Sequence, residues 1–364
     1  MKEVKLMKGN EVIAEAAVRA GCDGFFGYPI TPQTEIIETL SLMKPWETTG
    51  MVVVQAESEV ASINMVYGAA TTGKKVMTTS SSPGISLMSE GLSYIAGAEL
   101  PCVVVNVQRG GPGLGTIQPS QSDYFQATKA AGHGDFNLIV LAPNSVQEMY
   151  DHVFLAFDLA FKYRNPAMIL TDGVIGQMME KVEISEQQPR MTPEFIQENY
   201  SNWALTGHNG KEHHNIVTSL ELEASRQEKV NERIQAKYAA LRRDEVRYET
   251  QHCDDAEYVI VAFGSSARIA SKAVAMAREA GLKVGLFRPI TLFPFPEKEL
   301  KALADRGVKG FLSVEMNAGQ MVQDVRLSVG SNVMVDHFGR MGGMIHTPDE
   351  VFEALKEKII NKAK

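Results

Sequence analysis

The stretch that decides the fold is VVQAESEVASINMVYGAATTG, at residues 53–73. An apolar run typical of a strand leads into an acidic turn and then into a helix rich in small residues, with Glu59 at its head. On both sides of this stretch, short β-branched runs alternate with segments of helical period. The alternation predicts an α/β fold with a parallel sheet that helices cover on both faces.

The pattern divides the 364 residues into three parts. Residues 1–185 predict a parallel α/β domain, 186–256 a polar and largely helical connector, and 257–364 a second, smaller α/β domain. Within the connector, 220–248 predicts one charged helix. In the second domain TLFPFP, at 291–296, predicts a turn because two prolines interrupt it.

Composition excludes several classes of protein. A net charge of −8 is unlike the basic surface of a nucleic-acid-binding protein. The apolar runs have strand length and are too short to cross a membrane, and the first residues have no signal-peptide core. We therefore expect a cytoplasmic protein without membrane contact.

The three cysteines, Cys22, Cys102 and Cys253, form no C-x-x-C pair, so the sequence predicts neither an iron–sulfur cluster nor a zinc site.

Glu59 is the first candidate functional residue. A carboxyl group at the head of a helix, among Ala, Val, Ile and Met, can hydrogen-bond a ring nitrogen of an aminopyrimidine. Alternatively, the macrodipole alone favours an acidic residue in this position. Glu57 lies two residues earlier and competes for the same role.

The second candidate site is the turn GYPITPQTE at 27–35. Its two prolines make the backbone rigid. Thr31 could cap the helix that follows, or it could donate a hydrogen bond to a substrate carboxylate at the carboxyl edge of the sheet.

The third candidate is Arg109 in VNVQRGGPGLGT, at 105–116, where a predicted strand over 102–108 runs into a glycine-rich loop. The loop has no lysine and does not match a phosphate-binding pattern. An arginine at the end of a strand can bind a carboxylate through two parallel hydrogen bonds. The alternative is an ion pair with a nearby acidic residue.

Three histidines in the connector, His208, His213 and His214, could in principle bind a metal ion. Their spacing matches no known zinc signature, so we interpret them as solvated loop residues.

Several segments occur in an order that identifies a family. The turn YPITP and the helix QAESEVASINMVYGAA are followed by TTSSSPGISLMSEG, VNVQRGGPGLGT, APNSVQEM and FRPITLFPFP. Together they resemble the α-type subunit of 2-oxoacid:ferredoxin oxidoreductases, with the branched-chain (2-ketoisovalerate, or 3-methyl-2-oxobutanoate) enzymes nearest and the 2-oxoglutarate enzymes next.

The resemblance implies a thiamine diphosphate-binding domain of the pyrimidine type and a transketolase C-terminal-like domain. It places Glu59 at the aminopyrimidine of thiamine diphosphate, as the catalytic and cofactor-binding glutamate. It places Pro29 and Ile30 at the cofactor, and Thr31 and Arg109 at the substrate carboxylate.

The resemblance also implies partner subunits. The G-D-G motif that holds Mg²⁺ and diphosphate is incomplete here, since Gly134-Asp135-Phe136 lacks its second glycine and Asp172-Gly173 its first. A β-type subunit is expected to supply that site, a ferredoxin-like subunit the iron–sulfur clusters, and a γ-type subunit the rest of the complex. The expected reaction is oxidative decarboxylation of a 2-oxoacid to acyl-CoA and CO₂, with electrons passed to ferredoxin.

Two alternatives stay open. A 2-oxoglutarate-specific subunit would need a further cation for the distal carboxylate, whereas the loop at 110–118 is uncharged and favours an aliphatic substrate. A non-catalytic docking subunit would use the connector and EMNAGQMVQDV, at 315–325, as partner contacts.

Overall fold

A computed structural model describes residues 3–129, 131–208 and 214–362 of the chain. Its strands are β1 (Glu3–Lys8), β2 (Gly24–Gly27), β3 (Val52–Gln55), β4 (Val76–Ser80), β5 (Cys102–Gln108), β6 (Ile139–Leu141), β7 (Pro166–Asp172), β8 (Met179–Ile184), β9 (Tyr248–Gln251), β10 (Tyr258–Ala262), β11 (Val284–Pro289), β12 (Thr291–Phe293), β13 (Gly310–Glu315) and β14 (Met334–Gly339). Its helices are α1 (Gly9–Arg19), α2 (Thr34–Met43), α3 (Pro45–Thr48), α4 (Glu59–Ala70), α5 (Ser82–Gly97), α6 (Tyr124–Thr128), α7 (Val146–Tyr163), α8 (Gly173–Gln177), α9 (Pro193–Tyr200), α10 (Ala224–Asp244), α11 (Gly264–Glu279), α12 (Glu297–Asp305), α13 (Met321–Val329) and α14 (Pro348–Leu355), which ends in a π-helical turn over Lys356–Ile360.

The larger sheet has the strand order β12-β6-β7-β5-β4-β2-β3. All neighbouring strands in it are parallel except β12, which pairs antiparallel with β6. Every residue of β5 is buried, because helices cover this strand on both faces of the sheet. The predicted strand over 102–108 and the predicted parallel α/β fold are therefore confirmed.

The second sheet has the order β14-β13-β10-β11-β9, with β9 antiparallel at one edge. A separate two-stranded ribbon joins β1 to β8. The ribbon was not predicted, because β1 and β8 pair with each other across a long stretch of the chain. Helix α9 was not predicted as a separate element of the polar connector either. No helix within the described ranges is both long and apolar enough to cross a membrane.

Two predicted elements are wrong in detail. The stretch at 291–296 is not only a turn, since Thr291 and Phe293 pair with Leu141 and Val140 and so extend the larger sheet. The predicted helix over 220–248 ends at Asp244. Tyr248 instead begins β9, and its ring stacks on Phe287 with 5.2 Å between centroids.

Gln121 joins the two sheet-bearing parts of the chain. Its side-chain amide donates to the carbonyl of Phe263 (2.8 Å) and accepts from the hydroxyl of Ser266 (2.6 Å) and the backbone N–H of Met316 (3.1 Å). Asn317 donates to the backbone carbonyl of Gln121 at 2.8 Å. Part of the stretch at 315–325 therefore contacts the first domain of its own chain.

The loops that follow β2, β4 and β5 leave the larger sheet at the same edge, because these strands are parallel. This carboxyl edge is where open α/β sheets bind ligands. It brings the turn at 28–33, the start of α5 and the glycine-rich loop after Arg109 into one region.

Candidate active site

Glu59 is the first residue of α4. The side chain of Ser58, the N-cap residue, accepts a hydrogen bond from the backbone N–H of Ala61 at 3.2 Å and fixes the start of the helix. Glu59 is only 6% exposed, whereas Glu57 is exposed to solvent. The structure therefore separates the two carboxylates that the sequence left in competition.

The Glu59 side chain lies against the first turn of α5. A β-carbon added to Gly84 would lie 2.7 Å from Oε1 of Glu59 and 2.0 Å from Oγ of Ser80. No residue in the described part of the chain donates a hydrogen bond to the Glu59 carboxylate. The Glu59 residue is thus largely buried and closely packed, and its carboxylate is available to a ligand. Sequence reasoning missed Gly84, although a glycine within a helix often has a packing reason.

Gln33 holds the proline turn in place. Its amide donates to the carbonyl of Tyr28 at 3.0 Å and accepts from the hydroxyl of Thr79 at 2.6 Å. Pro29 and Ile30 are half-buried in this turn, and Thr31 is exposed. The capping alternative for Thr31 is wrong, since α2 has Gln33 as its N-cap and no side-chain cap bond.

Arg109 is 8% exposed and reaches the same turn. Its Nη1 donates to the carbonyl of Thr31 at 3.0 Å and its Nη2 donates to the carbonyl of Leu114 at 3.2 Å. Its Nε is buried without a partner. Among the described residues no carboxylate lies within ion-pair distance of this guanidinium, so the ion-pair alternative is wrong. The structure brings Arg109 and Thr31 together and leaves this buried cation without a counterion among the described residues.

A cavity of about 840 Å³ opens beside Arg109. It is lined by the start of α5, the loop at 109–114 and the segment at 120–126, and on the other side by 316–320 and 341–342. Of the described lining residues, only Arg109 and Asp123 carry ionisable side chains. Pro83, Leu114 and Met316 are among its apolar residues.

Asp123 was not predicted as a site residue. It is 9% exposed, and its Oδ2 accepts hydrogen bonds from the hydroxyl of Ser82 (2.6 Å) and the amide of Asn106 (2.9 Å). Burial raises the pKa of Asp123, and these two hydrogen bonds oppose that rise. An isolated aspartate in SQSD carries no sequence signal for a site.

Buried polar atoms without partners cluster at this edge. They include Oγ of Ser80, Oγ of Ser81 and Nε of Arg109. Buried polar groups are normally hydrogen-bonded, so an unsatisfied group in this position suits a polar ligand. Together with the Glu59 carboxylate near Gly84, these groups can bind a ligand that carries both a polar heterocycle and a carboxylate.

Other candidate ligands are engaged or separate. Asp172, in one of the incomplete G-D-G motifs, accepts from the backbone N–H of Val174 (2.9 Å) and from the hydroxyl of Ser265 (2.6 Å), and burial raises its pKa. His208 and His214 are exposed, and His213 lies outside the described residues. Within those residues, no group of three or more His, Cys, Asp or Glu side chains is arranged to hold a metal ion.

The three cysteines are free and buried. Burial raises the pKa of Cys22 and of Cys102 to about 12, and that of Cys253 to about 11. Buried thiols with raised pKa values form little thiolate near neutral pH, so we interpret these three cysteines as structural residues.

Two family profiles match consecutive parts of the chain. "Pyruvate flavodoxin/ferredoxin oxidoreductase, thiamine diP-bdg" matches residues 15–244, and "Pyruvate:ferredoxin oxidoreductase core domain II" matches 256–351. The chain belongs to the 2-oxoacid:ferredoxin oxidoreductase family. Enzymes of this family are thiamine diphosphate-dependent oxidoreductases that act with partner subunits, and other subunits carry the iron–sulfur clusters.

Full-length relatives within the 2-oxoacid:ferredoxin oxidoreductases are similar over almost the entire chain. The ketoisovalerate oxidoreductase subunit VorB of Methanothermobacter thermautotrophicus is 49% identical over 97% of this chain and 97% of its own length. The 2-oxoglutarate synthase subunit KorA of the same organism is 37% identical over 98% of this chain and 99% of its own. The predicted family is confirmed, and of these two relatives the VorB subunit is the more similar to this chain.

Solved structures support the same fold. The 2-oxoglutarate:ferredoxin oxidoreductase from Magnetococcus marinus, with 2-oxoglutarate, coenzyme A and succinyl-CoA bound, superposes with a TM-score of 0.85 at 29% identity. The match covers 98% of this chain and 65% of that one. A split-gene transketolase, at 13% identity and a TM-score of 0.60 over 97% of this chain and 98% of its own, shares the fold alone. The predicted thiamine-type and transketolase-like architecture is confirmed.

Proposed function

We propose that this chain supplies the substrate-binding and aminopyrimidine-binding half of an enzyme that acts on a branched-chain 2-oxoacid, 3-methyl-2-oxobutanoate. The products are the acyl-CoA and CO₂, with electrons passed to ferredoxin. The names of its relatives at 49% and 48% identity support this substrate. The division into 1–185, 186–256 and 257–364 belongs to the same proposal.

The observation that carries the proposal is the state of Arg109. A buried guanidinium held by two carbonyls, without a carboxylate partner among the described residues, is a binding site for an anion. The planar fork suits a carboxylate, and the carbonyl of Thr31 fixes the orientation of the fork. In this proposal Arg109 binds the 2-oxoacid carboxylate, and the Thr31 hydroxyl donates to the same group.

Glu59 is proposed to hydrogen-bond the aminopyrimidine ring, with Pro29 and Ile30 packing beside it. Its burial and its lack of a described hydrogen-bond donor support this role. Thiamine diphosphate, when bound, supplies the nucleophile and the electron sink that decarboxylation of a 2-oxoacid requires. The protein contributes position and a carboxyl group that can share a proton with a ring nitrogen.

The lining of the cavity supports a substrate with one carboxylate. A dicarboxylate such as 2-oxoglutarate needs a second cation, and Arg109 is the one cationic residue of the described lining. Apolar side chains such as Leu114 and Met316 suit a branched aliphatic chain. The charge pattern therefore favours the aliphatic 2-oxoacid over 2-oxoglutarate.

The partners follow from what the chain does not provide in its described residues. A β-type subunit is proposed to hold Mg²⁺ and the diphosphate, a ferredoxin-like subunit to carry the iron–sulfur clusters, and a γ-type subunit to complete the assembly. The engaged state of Asp172 supports the first assignment, because its carboxylate already binds Ser265 and the start of α8.

The test is viologen reduction by the complex purified anaerobically with its natural partners, in the presence of coenzyme A and a panel of 2-oxoacids. We expect the highest kcat/KM with 3-methyl-2-oxobutanoate and its branched relatives. Reduction led by 2-oxoglutarate would overturn the substrate. Absence of thiamine-dependent reduction with every 2-oxoacid would overturn the proposed function.

A further inference from the structure

We infer that Asp123 is a positioning residue that holds the substrate-binding Arg109 and the cofactor-binding Glu59 in one fixed frame. The inference rests on the proposed function and goes beyond it, since it assigns a role to a residue that neither the sequence motifs nor the proposed chemistry includes. Asp123 acts through Ser82, the first residue of α5.

Asp123 and Asn106 both accept hydrogen bonds from Ser82. Oδ2 of Asp123 accepts from the hydroxyl of Ser82 at 2.6 Å and from the amide of Asn106 at 2.9 Å. Oδ1 of Asn106 accepts from the backbone N–H of Ser82 at 3.2 Å. The three residues close a ring of hydrogen bonds at the end of β5, and Gln108 extends it by accepting from the backbone N–H of Asp123 at 3.0 Å.

One arm of this network reaches Arg109. The hydroxyl oxygen of Ser82 accepts from the backbone N–H of Arg109 at 3.0 Å. A serine hydroxyl has one proton, so its donation to Asp123 leaves the lone pairs of the oxygen to accept from Arg109. The backbone of Arg109 is therefore fixed at the point where its side chain turns toward Thr31 and the cavity.

The other arm reaches Glu59. Two residues after Ser82, the place of a β-carbon on Gly84 lies 2.7 Å from Oε1 of Glu59. A shift of the first turn of α5 changes the space in which the Glu59 carboxylate sits. Asp123 anchors that turn, so its loss should disturb both ends of the site together.

The choice of a carboxylate has a physical reason. Burying a carboxylate is unfavourable unless it is hydrogen-bonded, and Oδ2 of Asp123 accepts two hydrogen bonds. Oδ2 of Asp123 accepts both hydrogen bonds and offers no NH₂ group to Ser82, so it fixes the direction in which the Ser82 hydroxyl points. An asparagine could turn its NH₂ toward Ser82, and the hydroxyl would then donate to the carbonyl of Arg109, which lies 3.2 Å away. The Ser82 hydroxyl would then have two competing hydrogen-bond arrangements.

The test compares Asp123→Ala, Asp123→Asn and Ser82→Ala in the complex with its partners. We expect Asp123→Ala to raise the KM for the 2-oxoacid and the dissociation constant of thiamine diphosphate with Mg²⁺, each by about tenfold, the scale of a lost hydrogen bond to a charged group. Calorimetric titration of cofactor-free complex measures the second constant without any turnover. Asp123→Asn should fall between wild type and Asp123→Ala. The double variant Asp123→Ala/Ser82→Ala should be no worse than either single one, because both remove the same link.

The matched control is Asp23→Asn. Asp23 is also buried, at the opposite edge of the same sheet, where it accepts from Arg190 Nε at 2.7 Å. This variant should lower the melting temperature and leave both constants unchanged.

The inference is overturned if Asp123→Ala leaves both constants at their wild-type values, or if Asp23→Asn shifts them equally. A wild-type complex that binds the cofactor but turns over no 2-oxoacid would contradict the proposed function, and the cofactor titration would still decide the role of Asp123.

Discussion

Oε1 of Glu59 lies 2.7 Å from the position that a β-carbon on Gly84 would occupy. Real β-carbons do not approach another heavy atom so closely, and Oγ of Ser80 is nearer still, at 2.0 Å. Gly84 is therefore required by the close approach of both Ser80 and Glu59, and not by its own backbone conformation. Helix α5 can approach the head of α4 only because this residue has no side chain.

Substitution Gly84→Ala should lower kcat by about 100-fold, because displacement of a catalytic group by about 1 Å has an effect of this size. The helix itself should tolerate alanine, which is the better helix former. Steady-state kinetics of the assembled complex measure the loss.

The control is Gly91→Ala in the same helix, where the new β-carbon would lie 2.6 Å from Cγ2 of Ile63. This change disturbs the packing of α4 on α5 without touching Glu59, so it should lower the melting temperature more than it lowers kcat. Equal kinetic losses in both variants would contradict the special role of Gly84.

Substitution Arg109→Lys should raise the KM for the 2-oxoacid by about tenfold or more, with a smaller change in kcat. Lysine keeps the positive charge but lacks the planar guanidinium of arginine. It therefore cannot donate to the carbonyls of Thr31 and Leu114 and at the same time bind a substrate carboxylate through two parallel hydrogen bonds. Arg109→Gln should raise the KM further. Initial rates over a range of 2-oxoacid concentration measure the KM of both variants. The control is Arg190→Lys, which lies at the opposite edge of the larger sheet and should keep the wild-type KM. A wild-type KM in Arg109→Gln would exclude this residue from substrate binding.

Acid should destabilise the chain through His152. Burial lowers the pKa of His152 to about 4, Arg288 and Arg247 lower it as well, and Glu148 opposes them. The unfolded state therefore binds a proton more readily than the folded state. The stability that the neutral ring contributes is complete above pH 6.5 and is lost as the pH falls toward 4, by up to about 1.4 kcal/mol per pH unit.

Substitution His152→Gln should flatten this acid limb of the stability curve. Urea unfolding of the purified full-length chain between pH 4 and 7 measures the slope, with the exposed His208→Gln as the control. A slope unchanged by His152→Gln would show that other groups bind the protons taken up on unfolding.

Local patterns predicted the regular elements well where the run was long and buried. The run CVVVNVQ was predicted as β5 with the observed ends, because a continuous β-branched segment in a parallel sheet is buried on both faces. The stretch with Thr291 and Phe293 was misread because its strand forms by pairing with β6, about 150 residues earlier in the chain. Nothing in six residues with two prolines reveals that partner.

The residues of the candidate site divide in the same way, into those that a local pattern reveals and those that depend on contacts between distant segments. Glu59, Thr31 and Arg109 were proposed from the sequence because they stand at junctions of strand, turn and helix and match the family's motifs, and their roles stay predictions. The partners of Arg109 within the chain were not predictable, since two backbone carbonyls take the place of the acidic side chain that the ion-pair alternative required. Gly84 and Asp123 were missed because their roles are close approaches and hydrogen bonds between segments that meet only in the folded chain.

The most direct test of the central claim compares Glu59→Gln with Glu57→Gln in the assembled complex. Both remove one carboxylate from the same turn, and only Glu59 is buried against Gly84. We measure 2-oxoacid-dependent viologen reduction at saturating thiamine diphosphate. The account predicts that Glu59→Gln loses at least about 100-fold in kcat, the usual scale for a group that moves a proton, while Glu57→Gln stays at the wild-type value. Full activity in Glu59→Gln would contradict the claim that this chain activates the cofactor.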